Sequence, residues 1–415
     1  MIKFDFDKDC CGCTACANSC NHGAITMKAN CEDFLMPHID ESKCVDCGLC
    51  DKACPHLNTS TDRSQFSLKS FEEKKAYLYF SKDIRRKESA SGGFVFDIFN
   101  KVLKNGGLIC GCVWNDNIEA VHVVSDSLND LYKMQSSKYV QSNMQDCYKK
   151  IRKALRDGRQ VAFCGTPCQT AGLNSYLGKV DRSHLISICV ICHGVPSPGV
   201  WSVWKSIMEK KYNGKLLDVN MRDKSYKGYT TSYIRYSFNI QQAREGCKSD
   251  THTSTKLRNV SMPTYLSDPY VFLFTDDLYL RHSCNHCQYK ANQNGADIIV
   301  GDFYQSIPEA KNDGCSCLYA MNEKGDEFIR NLDGHLVETD YRTIGSVNSM
   351  LWCSVKENPR RKDFFEKYQA INELSETLFT DFLPFRFTVK KFLNQVGLFS
   401  IVRKSLNILK NDRVE

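Results

Sequence analysis

The chain has 415 residues, 42% hydrophobic and 25% charged, enough to bury a core in two or three domains. Its net charge of +7 is concentrated from Arg386 onward, where seven basic side chains meet two acidic ones; the body, at +2, carries no spread basic surface and excludes a nucleic-acid binder. Met1–Asp9 has no apolar signal core, and no stretch reaches the roughly 18 apolar residues of a membrane span. The expected setting is therefore a reducing cytoplasm, where 23 cysteines read as metal ligands rather than disulfides.

Residues 1–58 carry the strongest signal. Cys10, Cys13, Cys16 and Cys20 repeat in spacing as Cys44, Cys47, Cys50 and Cys54, the last followed by Pro55. Both runs are C-x2-C-x2-C-x3-C, the pattern of bacterial ferredoxins with two 4Fe-4S clusters. Three close cysteines wrap one face of a cluster, and the fourth crosses to the other. That assigns Cys10, Cys13, Cys16 and Cys54 to one cluster and Cys44, Cys47, Cys50 and Cys20 to the second. Zinc is the alternative, but it usually takes paired C-x2-C knuckles rather than a triple run. Asn21 stands where proline commonly follows the first run, which loosens a turn without touching a ligand. Cys11 and Cys31 fall outside the spacing and read as plain buried thiols.

Asn58–Lys75 is polar and reads as a linker. Apolar β-type runs then alternate with helical spacing. Strands are expected at Ala76–Phe80, Leu108–Trp114, Ala120–Ser125, Gln160–Cys164, Leu185–Cys192, Tyr233–Ile240 and Ile298–Val300. Helices are expected at Gly93–Lys104, after Cys164, at Gly199–Tyr212, Asp326–Leu332 and Arg360–Leu374. The expected architecture is α+β: a small ferredoxin-like domain over 1–58, a larger mixed α/β domain over 76–375, and a C-terminal helix over 386–415. That helix places Phe392, Val396, Phe399, Val402, Leu406 and Leu409 on one face with lysines and arginines beside it. It suits an anionic membrane surface or a partner, and equally a terminal helix packed on the protein's own core.

Short motifs between these elements come in a recognisable order: Ser91-Gly92-Gly93, Ser137-Lys138-Tyr139, Gly165-Thr166-Pro167-Cys168-Gln169, Cys192-His193-Gly194-Val195, Arg222-Asp223-Lys224, Leu280-Arg281-His282-Ser283-Cys284-Asn285-His286-Cys287 and Ala296-Asp297-Ile298-Ile299-Val300-Gly301-Asp302-Phe303. Over residues 1–370 the chain resembles the coenzyme F-420 hydrogenase/dehydrogenase beta-subunit family with a ferredoxin domain in front. The family also holds plant hydroxymethyl-chlorophyll reductase and subunits that reduce deazaflavin. The resemblance implies FAD and a third 4Fe-4S cluster in the larger domain.

The residues themselves accommodate that cluster. Cys284 and Cys287 form a C-x2-C knuckle, Cys168 sits in a strand–helix turn and Cys192 ends an apolar run, so the four can converge if the strands are neighbours. Cys164 and Cys189 are rival ligands or buried thiols; Cys110, Cys112, Cys147, Cys247, Cys315, Cys317 and Cys353 lack ligand spacing. For the flavin, the resemblance points to Ser91, Gly92, Gly93, Lys138, Tyr139, Gly165, Thr166 and Asp302. Lys138 would neutralise a reduced flavin or its pyrophosphate, unless it is a solvated lysine. Asp302 would meet flavin or substrate, unless it caps a helix. His193 is a candidate proton donor or a structural histidine, and Arg222 and Lys224 are candidates for an anionic substrate or a solvated turn.

The expected function is an iron–sulfur flavoprotein oxidoreductase. It would exchange electrons with an external carrier or partner protein and act on a small molecule the sequence does not identify. The alternatives are a non-catalytic electron-transfer subunit and a cluster-based redox sensor.

Overall fold

The computed structural model describes residues 4–58, 66–229, 233–242, 254–263, 267–305 and 307–395. The fold is α+β, a small N-terminal cysteine module set against a larger mixed-sheet body.

In the small module β1 (Ile25–Ala29) pairs antiparallel with β2 (Leu35–Ile39) between the two cysteine runs. The runs repeat in backbone as well as spacing. Gly12 and Asp46 are both left-handed, at φ 67° and 49°, as are Thr14 and Gly48, at 67° and 69°. Each run then enters a five-residue helix, Ala15–Ser19 or Leu49–Ala53, and leaves it through Cys20 or Cys54 in extended backbone.

The body holds eleven further described strands: β3 (Lys75–Ser81), β4 (Leu108–Trp114), β5 (Ala120–Ser125), β6 (Val161–Gly165), β7 (Leu185–Val190), β8 (Gly214–Asp223), β9 (Tyr233–Gln242), β10 (Ser254–Pro263), β11 (Ile298–Asp302), β12 (Ser316–Ala320) and β13 (Gly334–Thr339). Eight form one sheet in the order β13-β3-β12-β11-β7-β6-β4-β5. Its centre, β4-β6-β7-β11, is parallel; β5 on one side and β12, β3 and β13 on the other run antiparallel. Parallel strands are covered on both faces, which is why β6 and β7 are apolar apart from Ser187, whose hydroxyl is held by Asp297. Ala162, Ile186 and Ile188 face the helix Phe94–Lys104 through Phe94, Ile98, Phe99 and Val102. Their neighbours Val161, Phe163 and Leu185 face Tyr148, Ile151, Leu173 and Leu177 from the helices Cys147–Arg156 and Pro167–Leu177, the period-two alternation of a strand.

A separate antiparallel sheet, β10-β9-β8, packs on the helix Pro198–Tyr212 in an aromatic core that includes Trp201, Trp204, Tyr236, Tyr270 and Phe379. Phe34 and Met36 of the small module are buried in that same core. β8 and β10, the helix Cys147–Arg156 and the hairpin β1–β2 carry no expectation in the sequence reading. β7 stops at Val190, so Cys192 lies in the loop beyond the strand rather than at its end. The C-terminal helix begins at Phe385 and its described part runs to Gln395; Phe387 is buried against Phe272, whereas Phe392 is 60% exposed. The rest of the expected amphipathic face, Val396 to Leu409, lies outside the described residues. Among the described residues no helix is long and apolar enough to cross a membrane.

Candidate functional site

The two cysteine runs close around two separate small cavities. One is lined by Cys10, Cys13, Cys16 and Cys54, with Cys11 beside them; the other by Cys20, Cys44, Cys47 and Cys50. The fourth cysteine of each run has crossed to the opposite cavity. Electrostatics follows the same grouping: burial first, then the neighbouring Cys10 and Cys54, push the Cys16 thiol far up. Backbone N–H groups already point at sulfur, Gly12 N to Cys10 Sγ and Ala24 N to Cys20 Sγ, each at 3.3 Å. A nest of thiols that repel one another as anions, with amides aimed at them, fits a 4Fe-4S cluster. Iron would hold all four as thiolates, and N–H···S bonds favour the reduced state. The cavities differ in exposure. Cys13, Cys16 and Cys54 are buried, whereas Cys47 is exposed among the exposed apolar side chains Val45, Leu49 and Leu57.

Cys168, Cys192, Cys284 and Cys287 also come together. Burial is the main cause raising Cys284, followed by Cys192, Cys287 and Cys168. Burial likewise pushes Cys192 up to about 12 and Cys287 to about 11. Inside the knuckle, Asn285 Nδ2 and the neighbouring Gln288 Oε1 are buried with no protein partner. A buried amide donor left open costs about 1–3 kcal/mol, so its place beside four thiols fits a group whose sulfurs accept. Cys189 lies near the same thiols but is buried in the core, its Sγ toward Val190 O at 3.5 Å.

The sulfur sites are linked by Cys11 and Gly172. The Cys11 thiol lies near both Cys13 and Cys168 and meets the Tyr289 hydroxyl at 4.0 Å. Gly172 sits where a Cβ would lie 2.9 Å from Cys13 Cβ and Sγ. It is one helical turn, about 6 Å, along the same helix from Cys168. Cys11 falls outside the ligand spacing, and its proximity to Cys168, 157 positions away, leaves no mark in local sequence.

At the carboxyl ends of β6, β7 and β11 a cavity of about 440 Å³ opens, the place where open parallel sheets bind ligands. It is lined by Ser91, Gly93, Lys138, Tyr139, Gly165, Thr166, His193 and Asp302, with Cys11, Cys168 and Cys192 on the same wall. Gly92 is not on that wall. It is wedged between strands, a Cβ there meeting Tyr79 O at 2.3 Å and Ser316 N at 2.5 Å, and its N–H donates to Ser316 Oγ at 3.0 Å. Ser91 Oγ donates to Cys315 O at 2.6 Å, so the Ser-Gly-Gly turn is pinned to β12. Thr166 opens the eleven-residue helix Pro167–Leu177, with its N–H held by Gln169 Oε1 at 2.9 Å. Tyr139 stacks on Phe274 with ring centroids 4.7 Å apart.

Four charged or titratable groups have surroundings the sequence did not reveal. The Lys138 ammonium donates to the carbonyls of Lys133, Gln135 and Ser136 at 2.8, 2.8 and 3.3 Å, and burial brings it down to about 8. Asp302 caps no helix; it pairs with the buried Arg222 at 3.0 Å. Lys224 is not a solvated turn residue: it is buried and donates to Arg86, Ser91 and Asp313 carbonyls at 2.9, 2.7 and 2.5 Å. His193 Nε2 meets Asp277 Oδ1 at 2.5 Å, with its ring edge on Phe274. The cavity is also lined by a chain the sequence did not suggest: Gln169 Nε2 donates to Ser142 Oγ at 2.8 Å, and Ser142 Oγ meets His122 Nδ1 at 2.9 Å. Burial lowers His122 to about 4.

With this geometry in place, comparison with known proteins identifies the class. Residues 158–342 match the family model for the C terminus of the coenzyme F420 hydrogenase/dehydrogenase beta subunit, and residues 35–56 match a 4Fe-4S binding domain. Residues 158–342 thus carry the C-terminal domain of that beta-subunit family and the small module a 4Fe-4S binding domain, which together support an iron–sulfur electron-transfer protein of an oxidoreductase class. Among solved structures, a chain of the xenon-derivatized F420-reducing [NiFe] hydrogenase complex from Methanosarcina barkeri is similar at 16% identity, over 71% of this chain and 89% of that one, with a TM-score of 0.42. No curated protein matches.

Proposed function

We propose that the chain is an iron–sulfur flavoprotein that carries single electrons from an external protein carrier through three 4Fe-4S sites to a flavin, FAD by family likeness, which reduces a small molecule by two electrons. One observation carries this reading. The cavity at the strand ends is lined both by the family-implied flavin residues and by thiols of the third sulfur site, and the ferredoxin residue Cys11 reaches the same wall. A volume of about 440 Å³ is within the usual range of small-molecule sites, about 300–1,000 Å³. When bound, the flavin supplies the conversion between one-electron and two-electron chemistry.

The residues of the chain do the rest. The surface site at Cys20, Cys44, Cys47 and Cys50 receives the external carrier over its apolar rim. Cys10, Cys13, Cys16 and Cys54 hold the buried relay, and Cys168, Cys192, Cys284 and Cys287 hold the last one. Asp277 orients the His193 ring by its Nε2 contact, which leaves Nδ1 as the nitrogen able to exchange a proton with a bound molecule. The exposed rim serves equally a non-catalytic subunit bound to a partner enzyme, and this second reading differs in needing no flavin.

Anaerobic purification with iron, sulfide and flavin analysis tests the reading. The expected result is about twelve irons and one flavin per chain. About eight irons would remove the third site, and about four would break the ferredoxin assignment. Twelve irons without flavin would favour the non-catalytic subunit.

A further inference from the structure

Two cations are buried beside the third sulfur site with no acidic partner among the described residues. Arg281 is 1% exposed and Lys290 is 3% exposed. Arg281 Nε donates to Cys10 O at 2.7 Å, its terminal nitrogens reach Leu35 O at 3.2 and 3.3 Å and Met36 Sδ at 2.6 Å, and its guanidinium lies 5.4 Å from the Phe34 ring centroid. Lys290 Nζ donates to Cys192 O at 2.5 Å and Met350 O at 2.9 Å. Among the described residues neither forms an ion pair with a carboxylate. Carbonyls satisfy the N–H groups but do not balance charge, and a buried cation is costly unless something anionic lies close.

The close anions are sulfur. Arg281 and Lys290 flank the Cys284–Cys287 knuckle three residues before and after it, and Lys290 Nζ sits on the carbonyl of the ligand candidate Cys192 at 2.5 Å. We infer that Arg281 and Lys290 are the counter-cations of the third cluster, positioning residues that raise its reduction potential and so make it accept an electron from the buried ferredoxin site. This rests on the proposed function. In that step the donor site loses one electron and the acceptor site gains it. The group among Cys168, Cys192, Cys284 and Cys287 becomes one charge more negative, and no bond or proton moves. A fixed cation favours the more negative member of the couple. Arg281 also holds the Cys10 carbonyl, so it acts on the first site as well, whereas Lys290 contacts only the third.

The test is a redox titration followed by electron paramagnetic resonance on anaerobically purified full-length chain, with iron counted in every sample. Eight irons in the parent protein would refute the three-site reading itself. With twelve irons in the parent, Lys290→Gln is expected to lower one midpoint so that the oxidised-to-reduced ratio at fixed potential changes tenfold or more, about 59 mV for one electron. At least one other midpoint should stay in place. Arg281→Gln is expected to lower the same midpoint, and Lys290→Arg and Arg281→Lys to restore it. Unchanged midpoints in both Gln variants with twelve irons retained would overturn the inference. So would a shift in the charge-conserving variants equal to that in the Gln variants. If the Gln variants lose iron, the charge-conserving pair decides. Twelve irons with parental midpoints support the inference, and iron loss there too assigns the residues a purely structural role and overturns it.

Discussion

At the scale of single residues, His122 shows how the cavity wall ties stability to pH. It is 3% exposed, and its ring is held by Ser142 Oγ at 2.9 Å and lies 3.2 Å from Cys164 O. Burial lowers its pKa from 6.5 to about 4. The unfolded chain therefore takes up the proton first, and between these values it binds more protons than the native chain. Stability is complete above about pH 6.5 and is lost as pH falls toward 4, by about 3 kcal/mol over the window. Urea unfolding of the parent protein between pH 7 and 5 should show this loss, and His122→Gln should flatten the slope while lowering stability at neutral pH. A parallel pH slope in the variant would assign the acid sensitivity elsewhere. Lys224 follows the same logic at higher pH: burial brings it down to about 7, yet its three carbonyl partners make it a tie for the Ser91 turn.

At the scale of elements, the helix Pro167–Leu177 joins two sulfur sites. Its first turn carries Cys168, and Gly172 lets the Cys13 side chain lie against its flank. Gly172→Val is expected to displace Cys13, cost about 1–3 kcal/mol and reduce iron by about four atoms per chain, read by iron analysis beside the parent. Retention of all twelve would show that the contact has slack. Nothing in the sequence around Gly172 announces this role. The cysteine runs were legible because cluster ligation is local and its spacing is chemically narrow. The parallel centre of the sheet was legible because double-sided burial writes apolar runs such as Val161–Cys164 and Leu185–Val190. What was not legible depends on contacts between distant segments. Cys11 read as an inert thiol until Cys168 stood beside it, and Lys138 read as a flavin contact or a solvated lysine until three carbonyls surrounded its ammonium. β8 and β10 were missed because their exposed faces mix charge with apolar residues: Leu217 and Leu257 are both exposed, so alternation is blurred.

At the scale of the whole molecule, the small module is built into the body rather than hung from it. Arg361 forms a fork on Glu32 at 2.8 and 2.5 Å and also donates to Leu280 O at 2.9 Å. Tyr368 OH donates to Asp33 at 2.5 Å, and Ser197 Oγ to Glu32 O at 2.5 Å. Arg361→Met leaves Glu32 without its partner where the pair is mostly buried, and is expected to cost about 3–5 kcal/mol, measured by urea unfolding. Glu32→Gln with Arg361→Met should recover part of that loss, since no unpaired charge then remains. Failure to recover would place the cost in lost packing on Phe365 rather than in charge.

That fork has a consequence in time. Glu32 and Arg361 are 329 positions apart, and a ribosome adding about 10 residues per second needs roughly half a minute to cover that distance. During that interval the N-terminal cysteines are able to take iron, while Phe34 and Met36 lack Phe365 and the other late side chains of their core. The nascent chain thus exposes an oxygen-sensitive cofactor site and an apolar hairpin together, well before its last helices exist. Cells that make this protein face a scheduling problem that a free-standing ferredoxin does not pose, and delayed cluster insertion or a chaperone on that hairpin would resolve it.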